Sequence, residues 1–255
     1  MKITNVEAFW LRCPIPEGKQ HKSDYGLLTN FDMTLVVITT ENGMQGFGEA
    51  KAAVGSSGEC ASIVSCIENE IKPVLLGKDA RHITRIWEHI YNGTRDHYAL
   101  SRGRKFPILG KRGLTISAMS GIDTALWDLK GKAQNLSVSQ LMGGALRDTV
   151  PCYATGMYFQ DLPEEQLLNT LVEEAVTYAE QGFKAMKIKV GKNVGFDEKL
   201  IKAMRKAMPN MILAADSNHA YDLPEAIKIA KILEDNDYHW FEEPLSPEHP
   251  ELFRQ

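Results

Sequence analysis

The sequence predicts an α+β domain followed by an incomplete α/β barrel of the (β/α) type, and three observations carry that prediction. A β-branched run before Asn42-Gly43 and an extended run after it predict a hairpin in the first third of the chain. From Thr149 onward, strand-like and helix-like segments alternate, and the strands begin roughly 27 residues apart, which is typical of βα units in a parallel sheet. The fourth such strand lies close to the last residue, so we expect about four of the eight units that close a barrel.

The remaining elements of the first half are predicted to be mainly helical. Residues 59–76 carry apolar side chains at helical spacing up to Gly77, and residues 81–93 predict a second helix. A third helix is predicted over Thr115–Asn135, with apolar residues on one side and small residues where close packing is needed. Residues 93–114 have no convincing period and hold six basic residues. They are either a solvated loop or a basic rim that helps to hold an anionic small molecule.

The second half alternates in a regular order. The predicted strands are VPCYATGM, KAMKIKV, MILAAD and YHWFEE, and the predicted helices between them cover Glu164–Gln181, Asp197–Met208 and Pro224–Asp235. A doubly wound sheet would show the same alternation. However, no GxGxxG or GxxxxGK[ST] motif follows any of the strands, which counts against a nucleotide-binding version of that fold.

The composition excludes several classes of protein. The chain has 255 residues, 44% of them hydrophobic, and a net charge of −4, which gives no general attraction to nucleic acid or to an anionic membrane. No apolar run approaches the roughly 18 residues of a membrane span, and the first residues alternate too much for a signal peptide, so we expect a cytoplasmic protein. The four cysteines form neither a CxxC pair nor a metal-ligand spacing, so we expect reduced, largely packed thiols.

Ionisable side chains stand at the carboxyl ends of three of the predicted strands. Lys187 and Lys189 close one strand, Asp216 closes the next, and Glu242 closes the last. In a barrel these ends meet at one mouth, where active sites are built. Alternate residues of a strand share a face, so the two lysines point the same way. Burying them without partners would cost several kcal/mol each, so we expect acidic side chains or a bound carboxylate beside them.

This pattern indicates proton transfer assisted by a metal ion. A lysine acts as a base near neutral pH only if its pKa falls by several units from about 10.4, and burial, a nearby like charge and a metal all lower that pKa. We therefore expect one of Lys187 and Lys189 to remove a proton while the other tunes it and holds a substrate carboxylate. Asp216 and Glu242 suit Mg²⁺, and His219 is a rival ligand by proximity. Each motif alone also fits an ordinary solvated strand or helix cap, but their recurrence in three consecutive βα units favours a site.

Four motifs in this order resemble the mandelate racemase and muconate-lactonizing branch of the enolase superfamily. They are AMSGIDTALWDLKGK, KIKVG, DSNHAY and WFEEPL. The resemblance covers residues 2–255 and implies an enolase-like fold, with an α+β capping domain over residues 1–125 and the first half of a (β/α) barrel over residues 126–255. It also implies a third metal ligand on a fifth strand and a His-Asp pair beyond residue 255, so we expect the sequence to be a truncated part of a longer enzyme.

The resemblance also implies roles for individual residues. Lys189 would be the general base that removes the proton α to a carboxylate, and Lys187 would lie beside it. Asp216 and Glu242 would bind Mg²⁺. The substrate-binding candidates are Asn218, His219, Lys187, His21 and Tyr25. The last two come from the segment GKQHKSDYG, because relatives shape their specificity with capping-domain loops near the amino terminus.

The function predicted from these residues is that of a Mg²⁺-dependent lyase, an acid-sugar dehydratase that gives a 2-keto-3-deoxy acid. A racemase or epimerase and a cycloisomerase share the same proton removal and stay open as alternatives. Two other classes also stay open, a Schiff-base aldolase that uses a barrel lysine and an inactive truncated subunit. The expected partners are a small carboxylate substrate and further copies of the same chain, with no nucleic acid and no membrane.

Overall fold

The computed structural model describes residues 1–23, 26–51, 59–92 and 113–255, and the chain falls into two units, each with its own apolar core. The first unit comprises Met1–Pro14 and Asn30–Asp148, and the second comprises Ile15–Thr29 and Thr149–Gln255. The first unit ends at Asp148. Residues 125 and 126, between which a domain boundary is predicted, lie inside one continuous helix, Leu114–Gln134, which packs in the core of the first unit. The division into domains at that point stays a prediction.

The first unit contains a three-stranded antiparallel sheet. Strand β1 (Ile3–Pro14) pairs with β4 (Asn30–Thr40), which pairs in turn with β5 (Gln45–Ala50). The turn between β4 and β5 contains Gly43 at φ +79°, the left-handed conformation that glycine accepts without strain. The hairpin predicted from Asn42-Gly43 is therefore confirmed. Between β1 and β4, the short strands β2 (His21–Ser23) and β3 (Gly26–Leu28) form a separate antiparallel pair.

The described residues of the first unit form five helices, which cover one face of this sheet or follow it. They are α1 (Glu59–Cys66), α2 (Lys72–Leu75), α3 (Ile83–Asn92), α4 (Leu114–Gln134) and α5 (Val138–Leu141). A π-helical turn, Ile67–Ile71, joins α1 to α2, so the helix predicted over residues 59–76 forms with one widened turn in its middle. In the described residues, no helix has the length and apolar character needed to span a membrane.

Glycines let β5 and α4 approach each other closely. A Cβ built at Gly48 would overlap the carbonyl oxygen of Gly121 and would lie 2.8 Å from the amide nitrogen of Ala125. On the opposite side of the contact, a Cβ at Gly121 would meet Val36 at 2.8 Å and Ala50 at 2.9 Å. The alternation of glycine in QGFGEA therefore allows the strand backbone to contact the helix backbone.

We expect Gly48→Ala to lower the free energy of unfolding by about 3 kcal/mol, because the new methyl group meets backbone atoms that cannot rotate away. Urea denaturation followed by circular dichroism measures this change. The control is Gly195→Ala, whose added Cβ would have only an ordinary contact of 3.5 Å with Asn193. Equal stability of the Gly48 variant and the wild type would contradict the close packing.

The second unit is a parallel sheet whose strands alternate with helices. In chain order the elements are β6 (Ala154–Thr155), α6 (Glu164–Glu180), β7 (Ala185–Lys189), α7 (Val194–Ala207), β8 (Ile212–Asp216), α8 (Leu223–Asp235) and β9 (Phe241–Glu242). The strands pair in the order β6-β7-β8-β9, all parallel, as predicted for a partial (β/α) barrel. Helix α7 begins three residues earlier than predicted, because the Asn193 side chain caps it by accepting a hydrogen bond from the amide of Phe196.

The two faces of β7 differ as its sequence predicts. Met186 and Ile188 are fully buried in a core that includes Leu171, Phe196 and Leu200 from the flanking helices. Lys187 and Lys189 lie on the other face of the strand. The alternation of the strand thus turns both lysines away from the helices.

The amino end of the sheet is held by an arginine. Arg205, near the end of α7, donates hydrogen bonds to the carbonyls of Met211, Asn236 and Asp237, which precede β8 and β9. Its guanidinium also lies over the ring of Tyr238 at 5.7 Å. These contacts fasten the end of the sheet that carries none of the candidate site residues.

The cysteines are expected to be reduced and largely packed, and their burial agrees with this only in part. All four lie within the described ranges and form no disulfide. Cys60 and Cys66 are buried, whereas Cys13 and Cys152 are exposed, so half of the set is not packed as predicted.

Candidate active site

The parallel register places three of the candidate residues at the same level of the sheet. Lys189 pairs with Asp216 across β7 and β8, and Asp216 pairs with Glu242 across β8 and β9. Lys187, two residues earlier on β7, shares the face of Lys189. The structure therefore brings two amines and two carboxylates together at the carboxyl end of three adjacent strands.

The four charged groups form one connected set of ion pairs. Lys187 Nζ lies 2.7 Å from Glu242 Oε1 and 3.0 Å from Asp216 Oδ2, and Lys189 Nζ lies 2.6 Å from Asp216 Oδ2. The side chain of Asp216 is 2% exposed, and those of the lysines are 12% and 14% exposed. The partly buried cations thus have the acidic partners that the cost of burying an unpaired charge requires.

Asn218 extends this set away from β8. Its Oδ1 accepts a hydrogen bond from Lys189 Nζ at 2.7 Å, and its Nδ2 donates to Glu243 Oε2 at 3.0 Å. Its backbone amide donates to Asp216 Oδ1 at 3.1 Å, so the amide side chain and the backbone both touch charged groups of the set.

His219 is turned toward the segment that follows β9. Its Nδ1 lies 3.0 Å from the carbonyl oxygen of Leu245, and its Nε2 lies 3.6 Å from Glu243 Oε1. Asn218, His219 and Glu243 all have positive φ angles, from 48° to 71°, which non-glycine residues rarely adopt and which recur at functional sites.

Two aromatic residues contact the set and were not among the predicted site residues. Trp240 Nε1 donates a hydrogen bond to Glu242 Oε2 at 3.1 Å, which orients that carboxylate. The ring of Tyr158 lies 5.6 Å from Lys189 Nζ. The sequence could have identified Trp240 as a site residue, because alternate residues of an extended segment share a face and residue 240 precedes Glu242 by two.

Some predicted residues lie outside the described part of the chain. Tyr25 and the side chain of His21 belong to this group, as does most of the basic segment at residues 93–114. The roles proposed for His21, Tyr25 and that segment stay predictions.

Comparison with known proteins identifies the family. Residues 18–143 match the model of the mandelate racemase / muconate lactonizing enzyme N-terminal domain, and residues 170–255 match the enolase C-terminal domain-like model. The chain belongs to the mandelate racemase/muconate lactonizing enzyme family of the enolase superfamily. The first unit corresponds to the α+β capping domain of that family, and the parallel sheet of the second unit corresponds to part of its barrel.

Individual relatives agree with the family assignment. The chain is 37% identical to D-galactarolactone cycloisomerase of Agrobacterium fabrum over 86% of its own length and 53% of that protein. It is 33% identical to arabinonate dehydratase of Saccharolobus solfataricus over 84% of its length and 53% of that protein. A racemase from Streptomyces coelicolor with bound magnesium superposes with a TM-score of 0.79 at 31% identity, over 96% of this chain and 63% of that one. The chain therefore spans about half the length of the curated relatives that it matches.

The oxygen atoms of the set suit a hard divalent cation. Asp216 and Glu242 offer carboxylates from adjacent strands, and Mg²⁺ is held by few protein carboxylates together with substrate and water. Among the described residues, no group of three or more His, Cys, Asp and Glu side chains could hold a metal ion. Asp216 and Glu242 therefore offer two ligands of the kind that Mg²⁺ prefers.

The ion pairs set the pKa values of the site. Burial alone would lower the pKa of Lys187, but the hydrogen bonds and charges of Glu242 and Asp216 outweigh burial, so its pKa is raised above 10.5. A protonated Lys187 suits the role of holding a substrate carboxylate. Burial would raise the pKa of Asp216, but hydrogen bonds from Lys189 and Lys187 lower it below 3.8.

These shifts predict how the stability of the protein depends on pH. A lowered carboxyl pKa contributes stability that is present above pH 3.8 and is lost as the pH falls through the folded-state value of Asp216. The raised pKa of Lys187 contributes stability that is present below pH 10.5 and is lost as the pH rises further. We expect urea unfolding to show both losses in the wild type, and the loss at acidic pH to shrink in Asp216→Asn. An unchanged acid dependence in that variant would contradict the assigned ion pairs.

Proposed function

We propose that the protein removes the proton α to the carboxylate of an acid sugar, with Lys189 as the base and Mg²⁺ as its cofactor. One observation carries this proposal: Lys189 Nζ lies 2.6 Å from Asp216 Oδ2, with Glu242 at the same level of the sheet and a second lysine, Lys187, on the same face. A buried amine next to oxygen donors for a divalent cation suits the removal of a very weakly acidic proton, and this superfamily uses such a combination.

The chain's own residues have distinct tasks in this reaction. The α C–H bond of the substrate breaks, its proton passes to Lys189 Nζ, and the electron pair moves onto the substrate carboxylate. Lys187 holds that carboxylate, in place of part of its present contact with Glu242. Asn218 accepts a hydrogen bond from Lys189 and so fixes the direction of its amine.

Asp216 and Glu242 would hold the metal ion, and Trp240 would orient Glu242 through its indole N–H. When bound, Mg²⁺ supplies a Lewis acid that stabilises the negative charge developing on the substrate carboxylate, and its positive charge lowers the pKa of neighbouring amines. The lysines already contact oxygens of both carboxylates, so a bound cation would compete with them for Asp216 and Glu242.

Loss of the β-hydroxide after proton removal would complete a dehydration. The proton and the hydroxide leave as water, and the resulting enol rearranges to a 2-keto-3-deoxy acid. The similarity to arabinonate dehydratase supports this outcome. An absorbance assay for 2-keto acids across a panel of acid sugars tests it. We expect at least one sugar acid to give a keto acid in the presence of Mg²⁺.

The absence of keto acid from every sugar acid, with exchange of the α-proton intact, would refute the dehydratase and leave the other reactions of the family. The similarity to D-galactarolactone cycloisomerase favours cycloisomerisation as the second candidate. The two outcomes differ in mass, because dehydration removes one water from the substrate while cycloisomerisation leaves its mass unchanged. Mass spectrometry of the product therefore separates them.

Two further alternatives predict different behaviour. A Schiff-base aldolase would keep full activity in EDTA and would be trapped covalently by borohydride together with its substrate. An inactive subunit would fold, yet would exchange no α-proton from any sugar acid with Mg²⁺ present. The carboxylates beside both lysines favour the metal-assisted reaction over the aldolase.

A further inference from the structure

A buried carboxylate and a buried tyrosine connect the loops that follow β7 and β8. Asp197, in the first turn of α7, has no exposed surface, and Tyr221, in the loop after β8, is 7% exposed. The Tyr221 hydroxyl donates a hydrogen bond to Asp197 Oδ2 at 2.7 Å. Neither residue takes part in the proton transfer described above.

The same carboxylate holds the backbone immediately after the proposed base. The amide of Gly191 donates to Asp197 Oδ2 at 3.1 Å, and the amide of Lys192 donates to Oδ1 at 3.3 Å. These amides lie two and three residues beyond Lys189. Both oxygens of Asp197 therefore bind the loop that carries the lysine out of the strand.

Close packing limits the movement of this loop from the other side. Gly191 has φ +109°, and a Cβ at that position would lie 2.7 Å from Ala220 Cβ and 3.0 Å from the carbonyl oxygen of Ser217. The amide of Val190 donates to the carbonyl of Asp216 at 3.0 Å. The loop after β7 thus lies directly against the loop that follows Asp216.

Only a carboxylate satisfies all the donors that surround Asp197. Burial raises the pKa of Asp197, although the Tyr221 hydroxyl and the backbone amides oppose that effect, so charge is costly at this position. An asparagine would turn its N–H₂ group toward at least one of these donors, because an amide has only one acceptor oxygen. The demand for two acceptor oxygens explains why a carboxylate stands in this apolar core.

The preceding βα unit has a related carboxylate. Glu174, on α6, accepts hydrogen bonds from the backbone amide of Met157 at 3.0 Å and from the Tyr178 hydroxyl at 3.2 Å. Met157 follows β6 and has φ +53°. In two successive units, then, a carboxylate on the following helix holds the backbone beyond the carboxyl end of a strand. Tyr178 lies on the same helix as Glu174, whereas Tyr221 comes from the next unit and so joins two loops.

We propose that Asp197 and Tyr221 are positioning residues, which fix Lys189 in its place against Asp216 by tying together the loops after β7 and β8. This inference rests on the proposed function, since it assigns them the task of orienting the proposed base. A change in the relative position of the two loops alters the distance between Lys189 Nζ and Asp216 Oδ2, and small displacements of reacting groups have large effects on rate.

The test compares two variants that each remove one buried hydroxyl. Tyr221→Phe removes the hydrogen bond to Asp197 and keeps the ring. Tyr238→Phe is the matched control, because its hydroxyl donates to the carbonyl of Ile201 at 3.1 Å and it precedes β9, at the amino end of the sheet. Both variants should lose similar amounts of stability, so a difference between them at the site reports positioning.

Two measurements are made on each variant. Amide hydrogen exchange at Gly191 and Lys192 should accelerate about tenfold in Tyr221→Phe, the loss of one buried hydrogen bond, and stay unchanged in Tyr238→Phe. The rate constant for α-proton exchange from substrate should fall about tenfold in Tyr221→Phe with KM within about twofold, as expected for a misplaced base. Asp197→Asn should show larger effects of the same kind. If Asp197→Asn does not fold, Tyr221→Phe alone decides the test.

The outcomes separate failure of this inference from failure of the proposed function. Equal amide exchange at Gly191 and Lys192 in the two phenylalanine variants overturns the positioning role, as does an equal fall in their α-proton exchange rates. If the wild type exchanges no α-proton at all, the proposed function is wrong, and Asp197 and Tyr221 then have no role in positioning a catalytic base. Amide exchange then still decides whether Tyr221 holds the loop.

Discussion

Lys189→Met is expected to lower the rate of α-proton exchange by about 10²- to 10⁴-fold, the usual contribution of a general base. Methionine has a similar length but accepts no proton. The side chain it replaces binds Asp216 and Asn218 and lies at the end of β7, so its loss removes the one amine that bridges these two residues. Proton NMR of the substrate in D₂O measures the exchange directly, because the α-proton signal disappears as deuterium enters.

The matched control for this variant is Lys184→Met. Lys184 is exposed and precedes β7, at the end of the strand away from the carboxylates. The Lys184→Met variant should exchange the α-proton at the rate of the wild type. Lys187→Met should differ from both, with a raised KM, because we assign that lysine to the substrate carboxylate. Exchange by Lys189→Met at the rate of Lys184→Met would show that Lys189 is not the base.

Asp216→Asn is expected to weaken the binding of Mg²⁺ by about 100-fold or more, since loss of residues that only support a ligand already costs 10- to 100-fold. Asp216 is the shared partner of both lysines and is almost fully buried. Its replacement therefore also leaves Lys189 without a charged partner, which is strongly destabilising for a buried pair. Isothermal titration calorimetry with Mg²⁺ measures the affinity, and circular dichroism verifies that the variant is folded.

A second variant and a control keep this result interpretable. Glu242→Gln removes the other proposed ligand from a more exposed position and should also weaken Mg²⁺ binding. Glu198→Gln makes the same chemical change at an exposed ion pair of α7 and should bind Mg²⁺ as the wild type does. If both Asp216→Asn and Glu242→Gln bind Mg²⁺ with wild-type affinity, the metal does not bind at this site.

The sequence predicts much of this site because strands obey a simple period. The alternation in KAMKIKV is enough to place Lys187 and Lys189 on one face and Met186 and Ile188 on the other. Parallel βα units then bring the ends of neighbouring strands together, so the proximity of Asp216 and Glu242 follows from their positions at strand ends.

Other features depend on contacts between residues that are distant in sequence, and no local pattern encodes such contacts. The hydrogen bond between Tyr221 and Asp197 joins a loop to a helix of the preceding unit, and neither residue belongs to a periodic motif. The raised pKa of Lys187 likewise depends on contacts between strands, because two carboxylates within 3.0 Å of its amine outweigh burial.

The extent of the first unit also depends on contacts between distant segments. Periodicity identifies the helix Leu114–Gln134 but not what it packs against. The glycines of β5 and α4 allow that helix to lie on the first sheet, and the unit continues to Asp148. Tertiary packing, which is not a property of any one segment, sets the boundary.

The most direct test of the central claim is the appearance of deuterium at the α-carbon of an acid sugar, followed by NMR in D₂O with either Mg²⁺ or EDTA present. The claim is that Lys189, together with a cation held by Asp216 and Glu242, removes that proton. It predicts exchange with Mg²⁺, none with EDTA, and exchange about 10²- to 10⁴-fold slower in Lys189→Met with Mg²⁺. Exchange that persists in EDTA, or that runs at the wild-type rate in Lys189→Met with Mg²⁺, would contradict it.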